Sequence, residues 1–268
     1  MCPYTEFLQY GSKPSPKASM IQAPIIERKI YSADLVVVKV NVSRGYAQKC
    51  RKPGTFVMAE ALGYKIPLSV LKTERDAEAG WLLHFAIKPA GPKTLQLLRE
   101  DCESWKLTGP FYNGLINSEV LDLQNPSLII AKGTALAPFI CGMKDMTHNM
   151  TELYLDMDKL SDDFAKTYLD GQPYTTVSLT IEEEVQTLKR LIKEKMEEKK
   201  DCNLLLLVSP YYAAKLTEGL DTVERIVQPN PANMCCGEGI CGACSHTDAN
   251  GMTVRLCKCN QSMIESME

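Results

Sequence analysis

Cys235-Cys236-Gly237-Glu238-Gly239-Ile240-Cys241-Gly242-Ala243-Cys244-Ser245-His246, followed by Arg255-Leu256-Cys257-Lys258-Cys259, is the stretch from which the rest of the chain can be read. Taking Cys236, Cys241, Cys244 and Cys257 gives C-x4-C-x2-C…C, the spacing of plant-type [2Fe-2S] ligation. Four thiolates must converge on two irons and two sulfides. The loop that carries them must come close without side-chain clashes and aim its N–H groups at sulfur. Gly237, Gly239 and Gly242 allow that approach and a positive φ. The competing assignment is structural zinc on Cys241, Cys244, Cys257 and Cys259. It leaves both the C-x4-C step and the glycines without a role. Cys235 could stand in for Cys236, though only Cys236 gives the four-residue interval, and Cys259 could stand in for Cys257. His246 reads as a surface residue, because a Rieske-type site needs a second histidine nearby and only His84 and His148 remain.

Working outward, the chain has 11 cysteines, six of them in the clump at 235–259, with Cys2, Cys50, Cys102, Cys141 and Cys202 scattered singly. That is not the even framework of a small secreted disulfide protein. Net charge is −3, which excludes a basic nucleic-acid binder. No apolar run approaches the roughly 20 residues of a membrane span, and the polar, proline-rich start has no secretory h-region. Cytoplasm is the expected location.

Residues 1–23 lack periodicity and read as an extension. Residues 24–120 read as a small antiparallel barrel: Asp34–Val42, Thr55–Ala61, Pro67–Leu71 and Trp81–Ile87 are strand-like, Lys93–Glu100 is a short helix, and Gly/Pro clusters punctuate them. Residues 121–228 alternate. Strands are expected at Ser127–Lys132, Leu153–Met157, Thr175–Thr180, Asn203–Val208 and Val223–Val227. Helices are expected at Ala135–Met146, Lys159–Leu169, Ile181–Lys200 and Tyr211–Gly219. That rhythm implies a parallel sheet covered on both faces. In the third helix, positions 181, 185, 188, 191, 192 and 196 form one apolar stripe. Residues 229–268 are too short to fold without a metal or other staple. The fold class is therefore an all-β barrel, then an α/β domain, then a small [2Fe-2S] module.

Barrel, nucleotide-type sheet and C-terminal cysteine loop, in that order, resemble the electron-transfer subunit of type B dihydroorotate dehydrogenase and the small subunit of NADH-dependent ferredoxin:NADP oxidoreductase, both in the ferredoxin-reductase superfamily. The resemblance spans residue 24 to about residue 260, and Cys236-Gly-Glu-Gly-Ile-Cys-Gly-Ala-Cys is its most specific element. Pro53-Gly54-Thr55-Phe56-Val57 is similar to the family's Pro-Gly-Gln-Phe-Val. Ile66-Pro67-Leu68-Ser69-Val70 is similar to its Arg-Pro-Ile-Ser-Ile flavin motif. Lys88–Thr94 resembles its Gly-x-Gly-Thr turn, and Gly109–Gly114 resembles Gly-Pro-Leu-Gly-Asn-Gly. The resemblance implies FAD bound by Pro67, Leu68, Ser69, Val70, Lys88, Gly91, Thr94, Gly109 and Asn113. Ile66 replaces the arginine that pairs with the pyrophosphate, a bidentate contact isoleucine cannot make. Lys65 lies on the opposite face from Ile66, and Lys88 or Lys93 is the candidate substitute.

The nicotinamide motif departs further. Where the family has Gly-Gly-Gly-x-Gly-x-Ala-Pro, this chain has Ala131-Lys132-Gly133-Thr134-Ala135-Leu136-Ala137-Pro138. The missing glycines are those that let a dinucleotide reach a helix N-terminus. Direct NAD(P)H binding is expected to be weak. Asp156 and Asp158 end the second strand, where acids are more often turn residues than ribose ligands. No nucleophile–histidine arrangement or paired acid is visible. The expected role is an oxidoreductase-complex subunit that relays electrons between FAD and a [2Fe-2S] cluster, to or from a partner catalytic flavoprotein subunit. The alternatives are a self-sufficient NAD(P)H-dependent flavin reductase and a scaffold with a structural metal.

Overall fold

A computed structural model describes residues 18–143, 151–170, 175–198, 202–220, 226–247, 251 and 253–257. Seven antiparallel strands form the first unit: β1 (Ser19–Ser32), β2 (Leu35–Val42), β3 (Phe56–Ala61), β4 (Tyr64–Ser69), β5 (Lys72–Asp76), β6 (Gly80–Ile87) and β7 (Ser104–Phe111). Their order is β4-β3-β7-β1-β2-β6-β5. β1 begins inside the stretch read as an extension. Its first half pairs with β7 and its second with β2, so this one long strand joins the two halves of the sheet. The barrel closes where Leu71 N donates to His84 O at 2.9 Å.

The inner faces alternate as pleated strands require. Val38, Val40, Val57, Ala59, Leu68, Val70, Leu83, Phe85, Trp105 and Leu107 fill the interior. Two short helices cap it, α1 (Arg44–Lys49) and α2 (Pro92–Leu97). Ser43 caps α1 by accepting from Tyr46 N. Trp105, fully buried, donates its indole N–H to Leu97 O at 3.1 Å and pins the end of α2.

The second unit is a six-stranded sheet built from β8 (Leu115–Ile116), β9 (Ser127–Lys132), β10 (Thr151–Asp156), β11 (Thr175–Ser178), β12 (Asn203–Leu207) and β13 (Ile226–Pro229). The order is β11-β10-β9-β12-β13-β8, parallel except for β8. Side chains of β9 and β12 sort by parity. Leu128, Ile130, Leu204 and Leu206 meet α5 (Ile181–Glu198) and α6 (Pro210–Thr217). Ile129, Ala131, Leu205 and Leu207 meet α3 (Ala137–Met143) and α4 (Asp162–Tyr168) on the other face. The expected stripe of α5 holds, with Ile181, Leu188 and Ile192 buried. No helix among the described residues is long and apolar enough to cross a membrane.

The units meet in several places, of which two bear most on the site. In the first, Gly54 N donates to Pro138 O at 2.7 Å and Gly114 N donates to Gly54 O at 2.9 Å. A Cβ on Gly114 would overlap that Gly54 carbonyl, so the backbones can meet only without one. In the second, the β1–β2 hairpin and β6 rest on α4. Tyr31 packs edge-on to Phe164 and Tyr168, and His84 Nδ1 lies 3.0 Å from the Tyr168 hydroxyl. His84 Nε2 stands 3.0 Å from the Glu74 carboxylate but outside hydrogen-bonding geometry.

Burial pushes the His84 imidazole down to about 4, against the opposing pull of Glu74. The unfolded chain therefore binds this proton more readily than the native one. The stability His84 contributes as a neutral ring is complete above pH 6.5 and is lost as pH falls from there toward 4. A shift of that size is worth roughly 3 kcal/mol. Denaturant titrations at pH 7 and pH 4.5 should differ by a large part of that amount, and His84→Asn should shrink the difference. An unchanged pH dependence in the variant would refute the assignment.

Candidate functional site

The cysteine loop follows β13 and is closed by the small hairpin β14 (Ser245–Thr247) and β15 (Thr253–Arg255). Its own core is only Cys244, Val254, Leu256 and Cys257, with Ala232 and Met234 against it. The four predicted ligands are brought together as two interacting pairs, Cys236 with Cys241 and Cys244 with Cys257. Cys257 also feels Cys236, so the pairs are neighbours. Among the described residues, no three His, Cys, Asp or Glu side chains meet closely enough to hold a metal ion as they stand.

Backbone donors are aimed at these sulfurs. Glu238 N lies 3.3 Å from Cys236 Sγ. Burial pushes the Cys236 thiol up, but the N–H groups of Cys241, Glu238 and Ile240 more than offset it and leave the thiol down at about 7. At Cys241 the Ala243 N–H pulls the thiol down, and the Cys236 sulfur more than reverses that. Burial beside Cys244 pushes the Cys257 thiol up to about 12. Four cysteine sulfurs on one loop and hairpin, with backbone N–H groups aimed at them, are the kind of residues that a [2Fe-2S] cluster would take. Gly237, Gly239 and Gly242 have φ of +70°, +73° and +77°, the left-handed turns expected from the sequence. Cys235 is exposed, and His246 is half-buried on β14. Readings that involve Cys2, His148 and Cys259 lie outside the described residues.

The barrel residues divide by face. On β4, Ile66 and Leu68 point into the barrel core, as does Val70 just beyond the strand, while Lys65, Pro67 and Ser69 share the outer face. Val70 N donates to Thr55 O at 2.9 Å, so its N–H is engaged. The position expected to hold an arginine is thus an interior one here, and the cation on the Pro67–Ser69 face is Lys65. α2 packs on β4 and brings the Lys88–Thr94 turn beside that strand. Within the turn the Thr94 hydroxyl accepts from Ala90 N and Gly91 N, both at 3.1 Å, and donates to Gly91 O. Lys88 is exposed. Gly109 is buried on β7 and enters a cis peptide with Pro110. Asn113 lies at the joint between units, its carbonyl accepting from Asn230 Nδ2 at 2.8 Å.

Two groups of residues were missed in the sequence. Phe56, Met58 and Phe111 form an apolar patch on the outer face of β3 and β7, covered by Met234. The signal was present, because Phe56 and Met58 alternate with Val57 and Ala59, making both faces of β3 apolar. Asn230 is the second. It links Asn113 on the barrel to Leu256 O in the tail, and its Oδ1 accepts from Ala232 N at 2.9 Å.

At the dinucleotide position, the expected helix start is a 3₁₀ turn, Gly133–Leu136, ahead of α3. Lys132 Nζ is paired with Asp156 Oδ2 at 2.5 Å and lies 4.0 Å from Asp158. Asp156 also accepts from the Ile181 and Asp158 N–H groups. The acids at the end of β10 thus serve the turn and hold Lys132.

Compared with solved structures, the chain matches that of an NADH-dependent reduced ferredoxin-NADP oxidoreductase described for flavin-based electron bifurcation, at TM-score 0.62 and 21% identity over 88% of this chain and 85% of that one. The fold is that of ferredoxin reductases. The ferredoxin reductase in carbazole 1,9a-dioxygenase matches at TM-score 0.57 and 16% identity, over 81% of this chain and 71% of that one. A ferredoxin NADP+ reductase from Neisseria gonorrhoeae with bound FAD and NADP matches at TM-score 0.55 and 13% identity, over 80% of this chain and 100% of that one. At these identities the likeness is one of fold. No protein-family model and no curated protein sequence matches the chain. In this chain the cysteine tail continues from β13 and folds back onto the barrel.

Proposed function

We propose that this chain is the electron-transfer subunit of a flavin and iron–sulfur oxidoreductase, with FAD on the barrel, a [2Fe-2S] cluster in the tail, and the substrate chemistry on a partner flavoprotein subunit. The observation that carries this reading is the placement of the cysteine loop. Gly237 lies against Phe111 and Met58 on the outer barrel face, one strand away from Pro67 and Ser69. Two groups far apart in sequence are therefore neighbours in space. A flavin can take up an electron pair and pass it on one electron at a time, and an iron–sulfur centre carries single electrons.

The chain's own residues divide the work. Cys236 with Cys241, and Cys244 with Cys257, would each hold one iron, while the N–H groups of Glu238 and its neighbours stabilise charge on sulfur. Pro67, Ser69 and Lys65 would line the flavin side, with Lys65 nearest to replacing the absent arginine, and Gly91 and Thr94 would shape the adjacent turn. Leu68 and Val70 would support that wall from inside the barrel. The ion pair at Lys132 speaks for a relay over a self-sufficient NAD(P)H reductase, and metal content separates the cluster from a structural zinc.

Chain purified without oxygen should contain about two irons and two acid-labile sulfides, and acid should release stoichiometric FAD rather than FMN. One equivalent of zinc without iron would overturn the cluster. A flavin-free preparation with full electron-transfer activity would overturn the barrel assignment.

A further inference from the structure

The patch missed in the sequence lies between the two proposed sites. Phe56 stands opposite Ser69 on one side and Phe111 on the other, in register across β4, β3 and β7. The Phe56 and Phe111 rings stack with centroids 5.2 Å apart at 27°. Phe56 is 3% exposed, Phe111 7% and Met58 0%. The next layer is the cysteine loop. A Cβ on Gly237 would fall 2.7 Å from Phe111 Cζ, 2.8 Å from Cε2 and 3.2 Å from Met58 Cγ. The Gly237 backbone therefore rests directly on the Phe111 ring, and the preceding residue is Cys236.

Resting on the functional reading above, we propose that Phe111, braced by Phe56, is the positioning residue that fixes the gap between the flavin face of β4 and the Cys236 end of the cluster, and keeps water out of it. The step concerned is the passage of a single electron across that gap. One centre loses the electron the other gains, and no bond is made or broken. Its rate falls steeply as the gap widens, so a rigid apolar spacer matters more than a flexible one. Aromatic rings stack with little conformational freedom, and closely packed interiors do not deform smoothly. Gly237 is then required because any side chain would lift the loop off its seat. Dryness has its own consequence. Reduction adds negative charge to a thiolate-ligated cluster, so excluding water disfavours the reduced state and holds the potential low.

The test uses the full chain with cofactors bound, comparing wild type, Phe111→Leu and Phe111→Ala. Iron, labile sulfide and FAD are measured first. Wild-type protein lacking them would strike the functional reading, not this inference. In loaded protein, Phe111→Ala should raise the cluster's midpoint potential and slow flavin-to-cluster transfer after rapid flavin reduction severalfold, because the gap is no longer held at its closest approach. Phe111→Leu, which refills the space with apolar atoms, should restore the potential and much of the rate. A fully loaded Phe111→Ala protein with wild-type potential and rate would overturn the proposal. If that variant does not hold the tail, Phe111→Val decides by the same two readings.

Discussion

Serine in place of Cys244 is expected to remove the cluster entirely, with loss of visible absorption and of iron to background. Cys244 and Cys257 are each 3% exposed and form the inner pair, enclosed by Val254 and Leu256. A serine hydroxyl there is a far poorer ligand than thiolate, and water cannot easily enter to replace it. Cys241→Ser, at the exposed rim, should lose the cluster as well, because the pair it forms with Cys236 would hold one iron. Two controls make the result specific. Cys202, at the foot of β12, donates to Asn203 O at 3.6 Å. Cys202→Ser should keep full iron and cost less than about 1 kcal/mol. Cys235→Ser should also keep full iron, which settles the choice between the adjacent cysteines. A Cys244→Ser protein with undiminished iron would sink the ligand assignment. Loss of the metal should also loosen the tail toward proteases, since so small a core depends on its staple.

Adding NADH or NADPH without oxygen to the flavin-loaded chain is expected to leave the flavin band unbleached. A pyrophosphate needs free N–H groups and uncompensated positive charge at a strand-to-helix turn. The Gly133–Leu136 segment offers a 3₁₀ turn bearing side chains at Thr134 and Ala135. The cation that leads into this turn, Lys132, is committed. Burial pulls the Lys132 ammonium down, but Asp156 and Asp158 more than reverse it, so it stays charged and held by them. Asp156 is 5% exposed, and a phosphate would have to displace it. Breaking a pair with one buried partner costs about 3 kcal/mol, or roughly a hundredfold in affinity. Dithionite, or an added reduced partner subunit, should still reduce the flavin. Rapid stoichiometric bleaching by either nucleotide would show that the turn opens and that the chain feeds itself.

The regular parts of the fold were legible because they obey one period. In β9, Leu128 and Ile130 alternate with Ile129 and Ala131, and α5 repeats its stripe every three or four residues, so both elements stand close to where the sequence puts them. The turns of the cysteine loop were legible for a different reason: glycines at 237, 239 and 242 announce the positive φ that each adopts. β1 was not. Its sequence Ser-Met-Ile-Gln-Ala-Pro-Ile-Ile-Glu-Arg-Lys-Ile-Tyr-Ser breaks alternation at two register shifts, near Ile25 and Ile30. β5 is Lys-Thr-Glu-Arg-Asp, too polar to read as a strand. The site fared likewise. The expected flavin residues were read as one run, whereas the pleat divides them, sending Leu68 and Val70 inward and leaving Pro67 and Ser69 outside. Lys132 with Asp156, and Asn113 with Asn230, meet across 24 and 117 positions, and no local pattern announces such pairs.

The asparagine at position 230 carries an implication for how the molecule is held together. Its amide is satisfied only when the barrel's Asn113 carbonyl and the tail's Leu256 carbonyl are both in place, and these come from segments 143 residues apart. The sheet strand that delivers Asn230 must also have found its neighbours. The tail is therefore tied to the barrel through a residue that belongs to neither, so a chain that lacks the Asn113 turn is expected to leave residues 230–257 without their anchor.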